Sequence, residues 1–549
     1  MKKMSKLLSV IVALMVCVGM VAPALALEID QNYINGLEVK THETYGTKYV
    51  EVKGVDENDT TFNMKEDIKT EYTLYFGNQD NVTLNMNGHT LDHQDKAGSV
   101  IMAENTNLTI NGGDEENMGK ITGGNAYEKN QLPGAQEADN GGGIHVNGGS
   151  LTVTNTEISG NTATHNGSAV FAKDTDKVTM NNVVVEGNTA TGETGSGGGT
   201  ISITRTKEVD LEDVTIRDNE SSGVGGGLAV QDSGKVDMNN VEITGNESTG
   251  EGTYVPLPYG GGMYASNVDE INMNKVTISG NTANTESGTG GGMYAYNVGK
   301  IDMNDATISN NEAYYGGGVY AHNVGSIEMN NTQITGNTAG GAYGGGMYIY
   351  SDSTSTTVNG TNTVIADNTF YGGDFANDVF AYANGETIDM KFGPTTYGDK
   401  VFDGWSDSMK VSEFVREGDE ADADGAFGNN YSGNWGWMTF HWTEKPDEGD
   451  KTPVPPMPPE PPVVPDPDPV EIEDPDTPLG EEPDDPVDIE EPEVPLGELP
   501  EIEIDEPDVP LGDVPQTGDI SFMWYGVIVV SIAGLLGLSL LERKKRQED

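Results

Sequence analysis

A single cysteine, Cys17, occurs in 549 residues, and it lies in an N-terminal apolar stretch that reads as removable. A mature chain without it has no disulfide, no thiolate metal site and no cysteine nucleophile. Basic residues are scarce as well: 29 Lys and Arg stand against 89 Asp and Glu, a formal charge of −60. That balance argues against nucleic acid as a partner, because phosphate backbones need neutralising by Lys and Arg. Only 35% of residues are hydrophobic, low for one large compact core and suited to an elongated or partly disordered chain. Glycine (73 residues) and proline (26 residues) are abundant, and they fall in different parts of the chain.

Residues 1–26 read as a secretory signal. Lys2, Lys3 and Lys6 form a basic start, Leu7 to Met20 an apolar run, and Ala24-Leu25-Ala26 a small-x-small site, so cleavage is expected after Ala26. The apolar run is short of a full membrane span. At the other end, Ile520 to Leu541 is an uncharged apolar run of 22 residues, long enough to cross a bilayer. The tail 542–549 carries Arg543-Lys544-Lys545-Arg546, which holds the C-terminus in the cytoplasm. Just before the span lies Val514-Pro515-Gln516-Thr517-Gly518. Pentapeptide, apolar segment and basic tail, in that order over 514–549, resemble the LPxTG-type cell-wall sorting signal of Gram-positive bacteria, with Val514 in place of the Leu. The resemblance implies transient membrane insertion, then attack by a sortase cysteine on the Thr517–Gly518 bond. The Thr517 carboxyl passes to an amine of the peptidoglycan precursor, leaving the protein on the cell wall. An ordinary single-pass membrane protein is the alternative.

The linker 446–513 leads up to this signal. Residues 446–519 hold 21 of the 26 prolines and 26 acidic residues against one basic residue, Lys451. Such a segment buries no core, and polyproline II bias with charge repulsion keeps it extended. At about 3.1 Å per residue it reaches at most roughly 210 Å, suited to crossing a cell wall. Pro478-Leu479-Gly480, Pro495-Leu496-Gly497 and Pro510-Leu511-Gly512 mark it as a spacer grown by duplication.

Residues 82–370 repeat one unit. A glycine triplet runs into a short strand at Gly260-Gly261-Gly262-Met263-Tyr264-Ala265 and again from Gly290, Gly316 and Gly344, with earlier copies at Gly141, Gly167, Gly197 and Gly225. A Met–Asn pair follows (Met180-Asn181, Met238-Asn239, Met273-Asn274, Met303-Asn304, Met329-Asn330), with Leu211-Glu212 substituting once. Each unit closes on a turn asparagine: 161, 188, 219, 246, 281, 311, 337 and 368, spaced 26 to 35 residues apart. Three period-2 strands joined by Gly and Asn turns in under forty residues predict a coil whose strands stack on their equivalents about 4.8 Å away. The pattern resembles right-handed parallel β-helix repeats, as in the pectin-lyase-like superfamily and many bacterial surface adhesins. The expected architecture is all-β: a solenoid over 82–370, caps at 27–81 and 371–445, a disordered linker and one C-terminal membrane helix. Met263, Met293, Val319 and Met347 should point inward, with Ala265, Ala295, Ala321 and Ile349 two positions on, and the turn asparagines should bond in ladders. Trp405, Trp435, Trp437 and Trp442 all fall in the C-terminal cap, where packing outweighs ligand binding.

Catalytic chemistry is hard to find. The resemblance implies clustered acidic residues with a basic partner for a lyase or hydrolase. The outward positions of the triplet strands read instead as His145, Phe171, Ile201, Ala229 and then tyrosines. Asp174 and Asp176 are the nearest acidic pair, in a Lys-flanked turn, and Gly46 occupies the place where a zincin helix starting at His42-Glu43 needs its second His. No catalytic residue, metal site or cofactor is expected. Eleven of 22 tyrosines lie between Tyr254 and Tyr350. Tyr264, Tyr294, Tyr320 and Tyr348 occupy the outward position of four successive strands, with Tyr296 and Tyr350 two residues further on. Stacked coils would turn them into a strip, which suits either binding of glycans or protein surfaces or a self-stacking ladder that stabilises the sheet. The expected role is a non-enzymatic, wall-anchored adhesin. A wall-anchored polysaccharide lyase or hydrolase and a passive coat are the alternatives.

Overall fold

The computed structural model describes residues 26–43, 46–54, 60–77, 79–126, 140–191, 198–250, 258–284, 286–370, 375–376, 378–407, 427–432 and 435–444. All belong to the first of two compact units, residues 1–453. Ala24, the linker 446–513 and the sorting signal, with Val514, Pro515, Gln516, Thr517, Gly518 and the apolar run 520–541, lie outside the described residues. No helix among the described residues is long and apolar enough to cross a membrane.

Parallel ladders carry the fold. The triplet strands pair in the register Leu228–Met263–Met293–Val319–Met347–Val379. The Met–Asn strands pair as Val236–Ile271–Ile301–Ile327–Val358–Met390, and the strands before the turn asparagine as Ile243–Ile278–Ile308–Ile334–Ile365. A further short strand, absent from the sequence expectation, follows each turn asparagine, and most are two residues long, as at Thr162–Ala163, Thr189–Ala190 and Glu220–Ser221. Such pairs are too short to show a period of two, which is why patterning alone misses them. Parallel pairing also extends beyond 82–370 at both ends: Leu27–Ile29 pairs Thr61–Met64, and Thr356–Thr361 pairs Thr387–Phe392.

The core lies inside the coils. Met263, Met293, Val319, Met347, Ala265, Ala295, Ala321 and Ile349 are all fully buried, as are Met273 and Met303 of the Met–Asn pairs. Leu211 sits in register between Met180 and Met238. A slip of one residue would carry a whole strand's apolar set to solvent, at about 1.5–3 kcal/mol for each large side chain, so the alternation locks the register. Ile201 is the exception to the outward reading. It pairs with Val170 and Leu228 and is fully buried, so the outward residue of that coil is Ser202. The cause is a shift of the triplet, with Thr200 in the third-glycine place and its hydroxyl donating to the Gly226 carbonyl at 2.8 Å.

Corners take the left-handed conformation, which Asn and Asp tolerate because their short side chains bond the local backbone. Asn155, Asn182, Asp213, Asn240, Asp305, Asn331 and Asn362 all have φ near 50° at equivalent bends. Gly260 has φ 69°, and a Cβ on Gly261 would come within 2.4 Å of the Thr282 carbonyl carbon of the next coil, so the triplet is a corner packed backbone on backbone.

Both ends close with antiparallel pairs. Val39–Thr41 folds back on Lys48–Glu51, and the short helix Gln31–Asn35 starts on Asp30, whose carboxylate accepts from the Tyr33 amide at 2.8 Å. At the other end, Trp435–Glu444 runs antiparallel to Val379–Ala383 and to Lys400–Asp407. The Trp442 ring packs at 5.6 Å from both Phe402 and Tyr397, a cap contact.

Candidate functional site

The outer face of the triplet ladder gathers the aromatic residues. Tyr264, Tyr294, Tyr320 and Tyr348 are in register, with Phe380 next in line. Their rings stack nearly parallel, with centroids 5.4 Å apart for Tyr264–Tyr294, 5.2 Å for Tyr294–Tyr320, 4.5 Å for Tyr320–Tyr348 and 4.9 Å for Tyr348–Phe380. Ring faces are therefore turned to one another along the column, and edges are turned outward. Tyr294 is buried at 8% exposure, while Tyr264, Tyr320 and Tyr348 are partly buried. Burial pushes the Tyr294, Tyr320 and Tyr348 hydroxyls far above the ordinary phenol value, so they stay protonated and can donate.

Two further columns flank the first. On one side Tyr259, Thr289, Tyr315 and Tyr343 succeed one another, with Tyr259 stacked on Tyr294 at 4.6 Å and Tyr315 on Tyr343 at 5.7 Å. On the other side come Ser266, Tyr296, His322, Tyr350 and Tyr382. Tyr350 stacks on Tyr382 at 5.2 Å, and the His322 ring lies between Tyr296 at 4.9 Å and Tyr350 at 4.5 Å. Asp352 adjoins this second column. Its Oδ1 accepts from the Asn323 amide at 2.8 Å and lies 3.4 Å from His322 Nε2. The Asn323 bond, helped by Tyr350 and His322, holds the Asp352 carboxyl below its ordinary value. Burial pulls the His322 imidazole below its ordinary value, against the pull of Asp352. The six tyrosines singled out from the sequence thus come together on one face, in two adjacent columns. Sequence reading missed the Asp352 pairing, which joins residues 30 apart; the coil period was the signal available for it.

Towards the N-terminus the same face changes character. His145, Phe171, Ser202 and Ala229 succeed one another and are all buried despite pointing outward. Beyond them Tyr75 donates its hydroxyl to Glu104 Oε2 at 2.8 Å, and His42 Nε2 lies 3.0 Å from the same oxygen. His42 is thus tied to a carboxylate across the coils, a partnership its immediate neighbours did not disclose.

Elsewhere the charges pair. Arg205 grips Asp174 with two bonds at 2.6 and 2.9 Å, and Lys207 pairs with Asp176, so the acidic pair of the sequence is held by cations one coil on. On the Met–Asn ladder, Lys177, Glu208, Lys235, Glu270 and Lys300 follow one another in register with alternating sign. Exposed pairs of this kind contribute little stability each. Among the described residues no group of three or more His, Cys, Asp and Glu is placed to hold a metal ion.

A family model for the right handed beta helix region matches residues 142–329. The chain is a right-handed β-helix repeat protein. The matched residues span the triplet ladder from Gly142 to the Met329 coil, and the β-helix ladders continue on both sides of them. Comparison with curated proteins and with solved structures gives no match.

Proposed function

We propose that this β-helix is a surface protein that binds glycans or partner surface proteins non-covalently through the aromatic face of its triplet ladder. The observation that carries the reading is the concentration of three aromatic columns on one face, with His322 and Asp352 among them. Amphipathic rings with polar tips suit recognition of hydroxyl-rich or mixed surfaces. Because the ring faces are occupied by one another, recognition relies on edges and hydroxyls. The same stacking also stabilises the sheet, and the two roles are compatible. The test is binding of the secreted full-length protein to a mixed glycan and mucin array, beside a variant with Tyr264, Tyr294, Tyr320 and Tyr348 changed to Phe. Saturable binding that weakens in the still-folded variant supports the reading, and equal binding by both counts against it.

The same reading places the protein on the wall of a Gram-positive bacterium, carried by the order of signal sequence, acidic proline-rich linker, pentapeptide Val514–Gly518, apolar run and basic tail. Sortase is the processing partner and peptidoglycan the covalent one, joined through Thr517. Changing Thr517 to Ala should move the protein from the wall fraction to the membrane fraction. Unchanged wall attachment would rule out this route. A polysaccharide lyase or hydrolase is disfavoured because Asp174 and Asp176, the acidic pair nearest to such a role, are already engaged by Arg205 and Lys207.

A further inference from the structure

The second aromatic column contains one residue whose chemistry differs from its neighbours. His322 stands where the adjoining coils carry Tyr296 and Tyr350, and its imidazole lies between their rings at 4.9 and 4.5 Å. Nε2 is buried and faces Asp352 Oδ1 at 3.4 Å, outside good hydrogen-bond alignment. Among the described residues Nδ1 has no hydrogen-bond partner, and it is not one of the buried unpartnered atoms, so it opens to solvent. Asp352 Oδ1, an acceptor only, is the charged group nearest Nε2 and favours the proton on that nitrogen, which leaves Nδ1 as the acceptor on the outer face.

The groups packed around the ring complete the picture. The preceding coil contributes Tyr296, the following coil Tyr350 and Asp352, and the same strand Tyr320 at 6.4 Å. The charge facing the imidazole is negative, and the chain as a whole carries −60. An acidic ligand is repelled from such a position, whereas a neutral hydroxyl can donate to Nδ1 while the tyrosine hydroxyls bond its neighbours.

We propose that His322, held by Asp352, is the specificity centre of the aromatic face, accepting a hydrogen bond at Nδ1 from a hydroxyl of a neutral glycan. The inference rests on the reading of that face as a binding surface. It makes binding dependent on proton concentration when the other partners of the bound hydroxyl fix it as a donor, because protonation then sets an Nδ1–H against its O–H. Asp352 sets where this happens. Removing its charge removes the group that favours the imidazolium, so the titration moves to lower pH.

The test uses the full-length protein and two probes, a neutral β-linked hexaose and an oligo-uronate of equal length. Binding is measured from about pH 7.5 down to about pH 4.5, a range that brackets imidazole titration. The expected result is binding of the neutral hexaose that falls about fivefold on acidification, the scale of one hydrogen bond. His322→Gln should abolish the pH dependence, and Asp352→Asn should shift its midpoint to lower pH. Circular dichroism of each variant confirms the fold. Neutral-glycan binding that is indifferent to pH, or equally pH-dependent in His322→Gln, overturns the inference while leaving the binding face intact. Preference for the oligo-uronate overturns it as well. Absence of binding to both probes at every pH removes the inference together with the function on which it rests.

Discussion

The buried asparagine ladder ends by passing its last amide to a carboxylate: Asn368 Nδ2 donates to Asp378 Oδ1 at 3.0 Å. From Asn161 to Asn368 each Nδ2 donates to the Oδ1 of the next coil at 2.9–3.0 Å, so the side-chain dipoles all point one way. The donor end of this row meets Asp378, an anion placed as one would be at a helix N-terminus. The other carboxylate oxygen accepts from the Phe440 amide at 2.9 Å, joining the last coils to the closing antiparallel strand. An asparagine at 378 would continue the ladder but would turn an N–H toward the Phe440 N–H, and this second acceptor is why the ladder ends in Asp.

The Asp378 junction has a pH signature. Burial pushes the Asp378 carboxyl up to about 6 despite the bonds it accepts. A folded-state value above the unfolded one means stability that is complete at low pH and is lost as pH rises through about 6. The shift corresponds to about 3 kcal/mol. Other carboxylates change stability over the same range, so the readout is a difference. Wild type and Asp378→Asn are melted at each pH from about 4 to about 7. The stability of wild type relative to the variant should fall across that interval, and a constant difference would contradict the assignment.

Inside the ladder, isosteric replacement should be more damaging than its size suggests. Asn281 accepts from the Asn246 amide and backbone at 3.0 and 2.9 Å, and it donates to Asn311 Oδ1 at 3.0 Å and the Ile243 carbonyl at 2.9 Å. Asn281→Asp keeps the acceptor but sets an oxygen against two others in a buried site. At about 1–3 kcal/mol for each unsatisfied group, a loss of about 3 kcal/mol or more is expected in urea denaturation. Asn304→Asp, at an exposed position whose Oδ1 accepts from Asn330 Nδ2 at 3.1 Å, should fall within about 0.5 kcal/mol of wild type. Equal effects at the two sites would show that the ladder is not a structural spine.

These ladders were legible in the sequence because a solenoid writes each contact once per coil. Asn281 and Asn311 are 30 residues apart but neighbours in space, and the repeat spacing reveals it. Met263 and Ala265 read as inward for the same reason, since period-2 alternation assigns faces directly. Ile201 was misplaced because one extra residue at its triplet shifts the phase, and pattern alone does not say which glycine takes the left-handed corner. Glu104 and Asp352 were not legible as site residues. Their partners His42 and His322 lie on other coils, and a single acidic residue in an acidic chain carries no signal. The antiparallel closing strand Trp435–Glu444 was legible only as an aromatic-rich segment outside the repeat, since no repeat fixed its partner.

Two buried histidines give the opposite pH response to Asp378. Burial pulls His93 and His145 down to about 4. Both ring nitrogens of His93 are buried without a hydrogen-bond partner among the described residues, and His145 packs edge-on against Phe171 at 5.1 Å. A depressed value means that stability present above the unfolded value of about 6.5 is lost as pH falls toward 4, by about 3 kcal/mol for each ring. His93→Leu removes a buried ring that must otherwise charge in acid. Its acid-unfolding midpoint should lie at lower pH than that of wild type, and a midpoint that stays put would mean that this ring is not what acid attacks.

The tyrosine column separates packing from hydroxyl chemistry, because Phe380 already ends the row stacked on Tyr348 at 4.9 Å with an interplanar angle of 13°. A phenyl ring therefore fits this stack. Tyr320→Phe keeps both ring neighbours and should change stability by less than about 1 kcal/mol. Tyr320→Ala removes a ring held between Tyr294 at 5.2 Å and Tyr348 at 4.5 Å, and should cost about 3–5 kcal/mol in chemical denaturation. Should the Phe variant prove as unstable as the Ala variant, the hydroxyls rather than the stacked rings would be what holds the column. A Phe variant of wild-type stability is the protein needed for binding work, since any affinity it loses belongs to the hydroxyl and not to a disturbed fold.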